Sequence, residues 1–279
     1  MLRIAYDFIK ISTDITMTNK PFFQTLFLST MCLSSVTLFA ADKSIKTDFP
    51  ESIITSKIAK NGIKTAWYDE ATTRYTHGVL GDEIEAGTLF AKTVEGKTVS
   101  LKLESAQVFE DIKPRLADID NDGQNEIITI RSHSQKGAQI AVFGIQKASP
   151  NKLSLIASTP YIGQTNRWLA PVGIADFNND GYMDIAYIDR PHLAKILRVW
   201  SYREGKLTQV AQKPGLTNHR IGDDYIIGGV KRCGNNPSMI TVDSNWQRLI
   251  ETSYKQGKLI SQDIGRYAGR PNANTALRC

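Results

Sequence analysis

Short apolar and β-branched runs, broken by Gly, Pro, Asn and Asp, recur along most of the chain. "PRLA" (114–117) leads to "IITI" (127–130), "QIAVFGI" (139–145) and "KLSLIAS" (152–158). A second series runs from "PVGIA" (171–175) through "IAYI" (185–188) and "KILRVWSY" (195–202) to "KLTQVAQ" (206–212). These runs have the length and composition of strands, and no long stretch keeps a helical period. Each series holds about four strands, the sequence mark of a propeller blade or a similar β repeat.

Two weaker copies align with these. "HGVLGDEIEAGTLF" places Glu85 where the strong copies have Glu126 and Asp184, and "GGVKRCGNNPSMITV" places Ser238 there. "SIITSKIAKNGIKTAWYD" reads as an Asn-Gly hairpin without a first half-unit of its own. In a ring, such a fragment completes a blade begun by the other terminus, which removes unpaired sheet edges. The pattern therefore predicts an all-β chain: a β-propeller of about five four-stranded blades. Four are recognisable units, and the fifth is composite, closed by the hairpin and a strand from residues 266–279.

The chemistry lies in a repeated acidic stretch. "DIDNDGQNEI" starts at Asp118 and "DFNNDGYMDI" starts at Asp176, 58 residues later. Asp118, Asp120 and Asp122 alternate, Gly123 permits positive φ, and Glu126 stands ninth; the second copy has Asp176, Asn178, Asp180, Gly181 and Asp184. Oxygen groups in that spacing converge, and their mutual repulsion is relieved by a hard cation. Oxygen-only donors select Ca2+, with the carbonyls of Gln124 and Tyr182 at the seventh position completing the shells. An EF-hand is excluded, because its twelfth position is Thr129 or Tyr187 here and both flanks read as strands. The other alternative is an Asx-rich turn without metal.

These stretches resemble the FG-GAP or VCBS-type repeats of integrin-like β-propellers, which carry DxDxDGxxD loops between the inner strands of their blades. The resemblance is specific over residues 115–190 and degenerate over 75–110 and 217–265. It implies a propeller with structural calcium sites, in a family whose members commonly act as extracellular adhesion, ligand-binding or accessory domains. Only two sites carry over, because the first and fourth units lack the alternating acids. The chain is also too short for the seven blades of the integrin propeller.

Composition adds limits. The 279 residues are 41% hydrophobic and 22% charged, as in an ordinary globular protein. A net charge of +6 without basic runs argues against nucleic acid as a partner. Lys20, the apolar "PFFQTLFLSTMCLSSVTLFA" and the small residues Ala40 and Ala41 form an export signal over residues 1–41, with Met17 as an alternative start. Residues 42–279 then form one propeller domain, periplasmic or secreted, with no stable membrane span after cleavage. Of three cysteines, Cys32 leaves with the signal, so Cys233 and Cys279 are expected to pair in an oxidising compartment.

Two functional classes compete. His77, Asp82 and Glu85, with His219, Asp223 and Asp224, stand in loops entering the units and have the makings of acid–base chemistry. Trp67, Trp168, Trp200 and Trp246 offer stacking surfaces, although packing between blades explains most of them. No nucleophile elbow, HExxH helix or phosphate loop is present. The expected function is a non-catalytic binding or scaffold module for an unidentified protein or glycan. A propeller hydrolase or lyase acting on an extracellular polymer is the alternative.

Overall fold

Antiparallel strands follow one another in up-and-down meanders through residues 45–279, which the computed structural model describes except for 147 and 235. The export signal expected over 1–41 lies outside the described residues. The first meander is β1 (Ile54–Thr55), β2 (Ile63–Thr72), β3 (Glu85–Thr93) and β4 (Thr98–Lys102). After β5 (Gln107–Phe109), the second is β6 (Arg115–Ala117), β7 (Glu126–His133), β8 (Gly137–Ile145) and β9 (Leu153–Ser158). The third is β10 (Leu169–Ala175), β11 (Asp184–Asp189), β12 (Ile196–Arg203) and β13 (Lys206–Pro214). After β14 (Leu216–Thr217) come β15 (Gly229–Lys231), β16 (Ser238–Asp243), β17 (Arg248–Lys255), β18 (Lys258–Arg266) and the helix α1 (Arg270–Ala276).

The short strands act as joints. β5 pairs with both β3 and β7, so the first two meanders share one sheet, and β14 extends the edge of β16. Successive first strands touch, β1 with β6 and β10 with β15, and so do successive last strands, β4 with β9, β9 with β13 and β13 with β18.

Burial explains the strand sequences. β7, β8 and β11 are covered on both faces and read as nearly unbroken apolar runs, whereas β13 and β18 leave most positions exposed or half-exposed. Each buried Ile or Leu of the central strands contributes about 1.5–3 kcal/mol. The largest core cluster joins Ile128 and Ile140 of the second meander to Ile185 and Val199 of the third and Met239 of the fourth. The turns at Glu204-Gly205 and Gln256-Gly257 have positive φ at both residues, which matches the twist of the two-residue hairpins they close.

Three expectations are corrected. Glu85 opens the third strand of its meander, not the second, so it does not correspond to Glu126 and Asp184. The Asn-Gly hairpin is the first half of a complete meander, because β2 pairs along its length with β3. The C-terminal residues form a helix rather than a closing strand. Pro271 near its start suits a first helical turn, and Ala273 is buried in a cluster with Ile240 and Val242. Among the described residues, no strand from 270–276 pairs with the Asn-Gly hairpin. Among the described residues, no helix is long and apolar enough to cross a membrane.

Candidate metal centre

The loop 118–126 leaves the end of β6 and enters β7, and its backbone is held by its own acids. Gly123 N donates to Asp118 Oδ2 (2.9 Å), Asp122 N to Asp120 Oδ1 (3.1 Å) and Ile119 N to Glu126 Oε2 (2.9 Å). Gly123 has φ 84°, which lets the chain fold back. Carboxylate oxygens of Asp118, Asp120 and Glu126 come within 4.8 Å of one another, the one such acid or histidine group of three or more among the described residues. Asp118 Oδ1 is buried and has no hydrogen-bond partner. Burial, then the charges of Asp120, Asp122 and Asp118, push the Glu126 carboxyl up to about 8.

Such an arrangement fits a hard cation. A buried orphan carboxylate oxygen is costly unless something positive meets it, and every converging donor is oxygen. Asp122 lies outside the group: its Oδ1 accepts from Gln124 N (2.8 Å) and its Oδ2 from Gln124 Nε2 (3.1 Å).

The loop 176–184 repeats the backbone pattern between β10 and β11. Gly181 N donates to Asp176 Oδ2 (2.8 Å), Asp180 N to Asn178 Oδ1 (3.1 Å) and Phe177 N to Asp184 Oδ2 (3.1 Å), and Gly181 has φ 86°. Asp184 Oδ1 is again a buried oxygen without a partner, and burial pushes this carboxyl up to about 6. The difference is at Asp180. Its Oδ2 accepts from Asn178 Nδ2 (3.0 Å) and is ion-paired with Arg203 Nη2, and the guanidinium lies 4.2 Å from the centre of the Tyr182 ring. A side-chain cation already answers part of this loop's charge.

The loops are stitched together. Asn125 Nδ2 donates to Ile63 O (2.9 Å), Asn121 Nδ2 to Gly181 O (3.0 Å), and Asn179 Nδ2 to Asn236 Oδ1 in the corresponding loop of the fourth meander. That fourth loop carries Cys233, whose Cα is 5.6 Å from that of Cys279, so the two form a disulfide-capable pair.

Residues 118–187 match the model of the FG-GAP-like repeat family, from the first acid of the first loop to the middle of β11. The chain carries an FG-GAP-like repeat. None of the curated proteins matches it. Among solved structures, it is similar to the SREBP–SCAP binding-domain complex of fission yeast, at 8% identity and a TM-score of 0.39 over 78% of this chain and 48% of that one. It is also similar to the exo-β-1,3-galactanase of Phanerochaete chrysosporium, at 13% identity and a TM-score of 0.38 over 76% and 51% of the two chains. The WD40 domain of fission yeast SCAP aligns at 10% identity and a TM-score of 0.35 over 83% and 48%. The chain spans about half the length of these structures.

The candidate catalytic residues are partly gathered. His77 and His219 come to the same region at the other end of β10, where His219 Nδ1 meets His192 Nε2 at 3.0 Å. Asp82 caps its own turn, accepting from Ile84 N (2.8 Å). Glu85 is buried, and burial beside Glu110 pushes it up to about 10, a neutral acid within the sheet. Of the four tryptophans, Trp67 and Trp168 are core residues. Sequence reasoning missed Arg203, Glu110 and His192, none of which stands in a motif; each matters only through a partner distant in the chain.

Proposed function

We propose that this chain is an exported, calcium-stabilised β-propeller whose meanders are successive blades, acting as a non-catalytic binding or scaffold module. Its partner is an extracellular or periplasmic protein or glycan. The observation that carries the calcium reading is the buried, unpartnered Asp118 Oδ1 beside the Asp120 and Glu126 carboxylates. Asp118, Asp120 and Glu126 hold the first ion with the Gln124 carbonyl, and Asp122 supports the loop. Asp176, Asn178, Asp180 and Asp184 hold the second with the Tyr182 carbonyl once Arg203 withdraws. The ions serve as clips between first and second strands of their blades, a structural role. The touching first strands and touching last strands of successive meanders support the ring. The Cys233–Cys279 pair, within disulfide reach, supports an oxidising compartment.

The deciding experiment is a glycan and exported-protein binding screen run in calcium and again in chelator, with calorimetry of calcium binding beside it. Calcium-dependent capture of one partner is the expected result. Identical melting curves in calcium and chelator, with no heat of binding, would overturn the metal reading. A hydrolase or lyase is the second reading, favoured by the imidazole–carboxylate contact of His77 and Glu110. Polymer breakdown that is lost on His77→Ala would establish it in place of the first.

A further inference from the structure

β10 runs from the acidic loops at its C-terminal end to a cleft of about 230 Å3 at its N-terminal end, beside Trp168. That volume is below the range of drug-sized pockets and suits one side chain with a small polar group. Trp168, Pro191, Leu193 and Ile221 supply apolar walls, and Leu193 and Ile221 remain 64% and 71% exposed at the rim.

The charged side chains that line the cleft are cationic. Arg167 and Arg190 line it beside His77 and His192, and no carboxylate does. The nearby acids stand behind cations. Asp189 is engaged by Arg190 Nε (2.8 Å) and also by Arg198 Nε (2.9 Å), two guanidiniums on one carboxylate. Glu110, fully buried, meets His77 Nδ1 at 2.5 Å through Oε1, accepts from Ser132 Oγ through Oε2, and offers its carbonyl to Trp168 Nε1 (2.8 Å).

This carboxylate sets the role of His77. Burial raises the Glu110 carboxyl, and its Oε1 occupies the Nδ1 side of the ring, so the outer nitrogen, Nε2, is the polar atom that His77 brings to the cleft. With Nδ1 committed to Glu110, Nε2–H is a donor from which an anionic oxygen in the cleft can accept, which completes a chain of contacts from the buried acid to the ligand. His192 adds no charge: burial and the neighbouring His219 and His77 hold it down to about 4, and His219 Nε2 is bound to Asp223 O (2.9 Å).

We propose that this cleft binds a compact ligand bearing a carboxylate next to an apolar group, with the carboxylate on His77 Nε2 and the apolar group against Trp168 between Leu193 and Ile221. It supplies a site for the binding module proposed above and is independent of the calcium loops.

The test uses the full chain in calcium and two probes that differ only in charge, N-acetylphenylalanine and N-acetylphenylalaninamide, followed by tryptophan fluorescence and by histidine ring shifts in NMR. The acid is expected to bind about tenfold more tightly than the amide, the ratio expected when a charge-assisted hydrogen bond replaces a neutral one. His77→Ala should abolish that preference. Leu193→Asp, at an exposed rim position that spares the core, should weaken the acid while leaving the amide within about twofold. Equal binding of acid and amide, binding of neither, an acid preference that survives His77→Ala, or an acid affinity unchanged by Leu193→Asp would overturn the proposal. The tripeptide Gly-Gly-Phe separates two sources of the same chemistry. Binding tighter than that of the acid assigns the carboxylate to a peptide C-terminus, equal or weaker binding assigns it to a free acid, and both support the site. Failure of the probes leaves protein or glycan capture in the screen as a separate result.

Discussion

The loops 118–126 and 176–184 share a backbone and differ in how their charge is answered. In the first, three carboxylates converge and one oxygen is left buried and bare. In the second, Arg203 reaches back from the end of β12 to Asp180. The strand register shows the cause. Ser201 stands opposite Asp184, and Arg203 lies two residues further along the same strand. One step from the Ile127–Phe143 pair, the place opposite Glu126 belongs to Gly144, and two residues further is the neutral Gln146. A single residue on a neighbouring strand thus separates a loop open to an external cation from one that carries its own. In the fourth meander the corresponding loop carries Cys233, within disulfide reach of Cys279 beyond α1.

The largest expected effect tests the covalent tie. Cys279→Ser, which opens the proposed link across a separation of 46 residues, should cost roughly 3–4 kcal/mol in denaturant unfolding by loop entropy. A smaller loss would show that α1 docks by packing alone. Next, Asp120→Ala should remove the first loop's calcium stabilisation, about 2.7 kcal/mol at a hundredfold excess over Kd, as read from melting in calcium against chelator. Asp180→Ala should remove less, because Arg203 already shares that acid. The loops should also separate by pH in chelator. Glu126 and Asp184 are both raised, from ordinary values of 4.5 and 3.8 to about 8 and about 6, so the folded chain holds protons that the unfolded chain has released. Stability without calcium should therefore fall as pH rises through these windows. Glu126→Gln should flatten the fall between about 6 and 8, where Asp184 has already ionised. Arg203→Gln gives the second loop the neutral residue of the first. Its calcium affinity by calorimetry should rise up to about fivefold, the ratio for the ~1 kcal/mol of a surface ion pair. The smallest change is Asn121→Ala, which cuts the hydrogen bond between the loops and should cost about 0.5 kcal/mol at this exposed position.

Much of the architecture was legible in the sequence because strands, turns and acidic loops are local. The β-branched runs from Ile127 and Ile185 became β7 and β11, and the glycines of the acidic loops took positive φ. Of the two weaker copies, Ser238 does open β16, as Glu126 opens β7 and Asp184 opens β11, whereas the copy at Glu85 is displaced by one strand where the signal is thin. Glu85 opens "EAGTLF", a run with the look of β7, yet β2 had already taken the place of second strand. Residues 266–279 carry too few apolar positions to distinguish an edge strand from a short helix. Pro271 and the buried Ala273 settle it as α1.

The sequence by itself determined the all-β class, the FG-GAP-like repeat, the two acidic loops and the pairing of Cys233 with Cys279 as an expectation. Each of these rests on spacing within one segment or on a count of residues. Only the tertiary structure decided that Asp118, Asp120 and Glu126 converge while Asp122 turns to Gln124, that Arg203 answers Asp180, and that His77 stands before a buried Glu110. These outcomes depend on strand register and on contacts between meanders. Which side chain meets a buried carboxylate is set by the residue opposite it in the sheet, and a linear pattern does not carry that information.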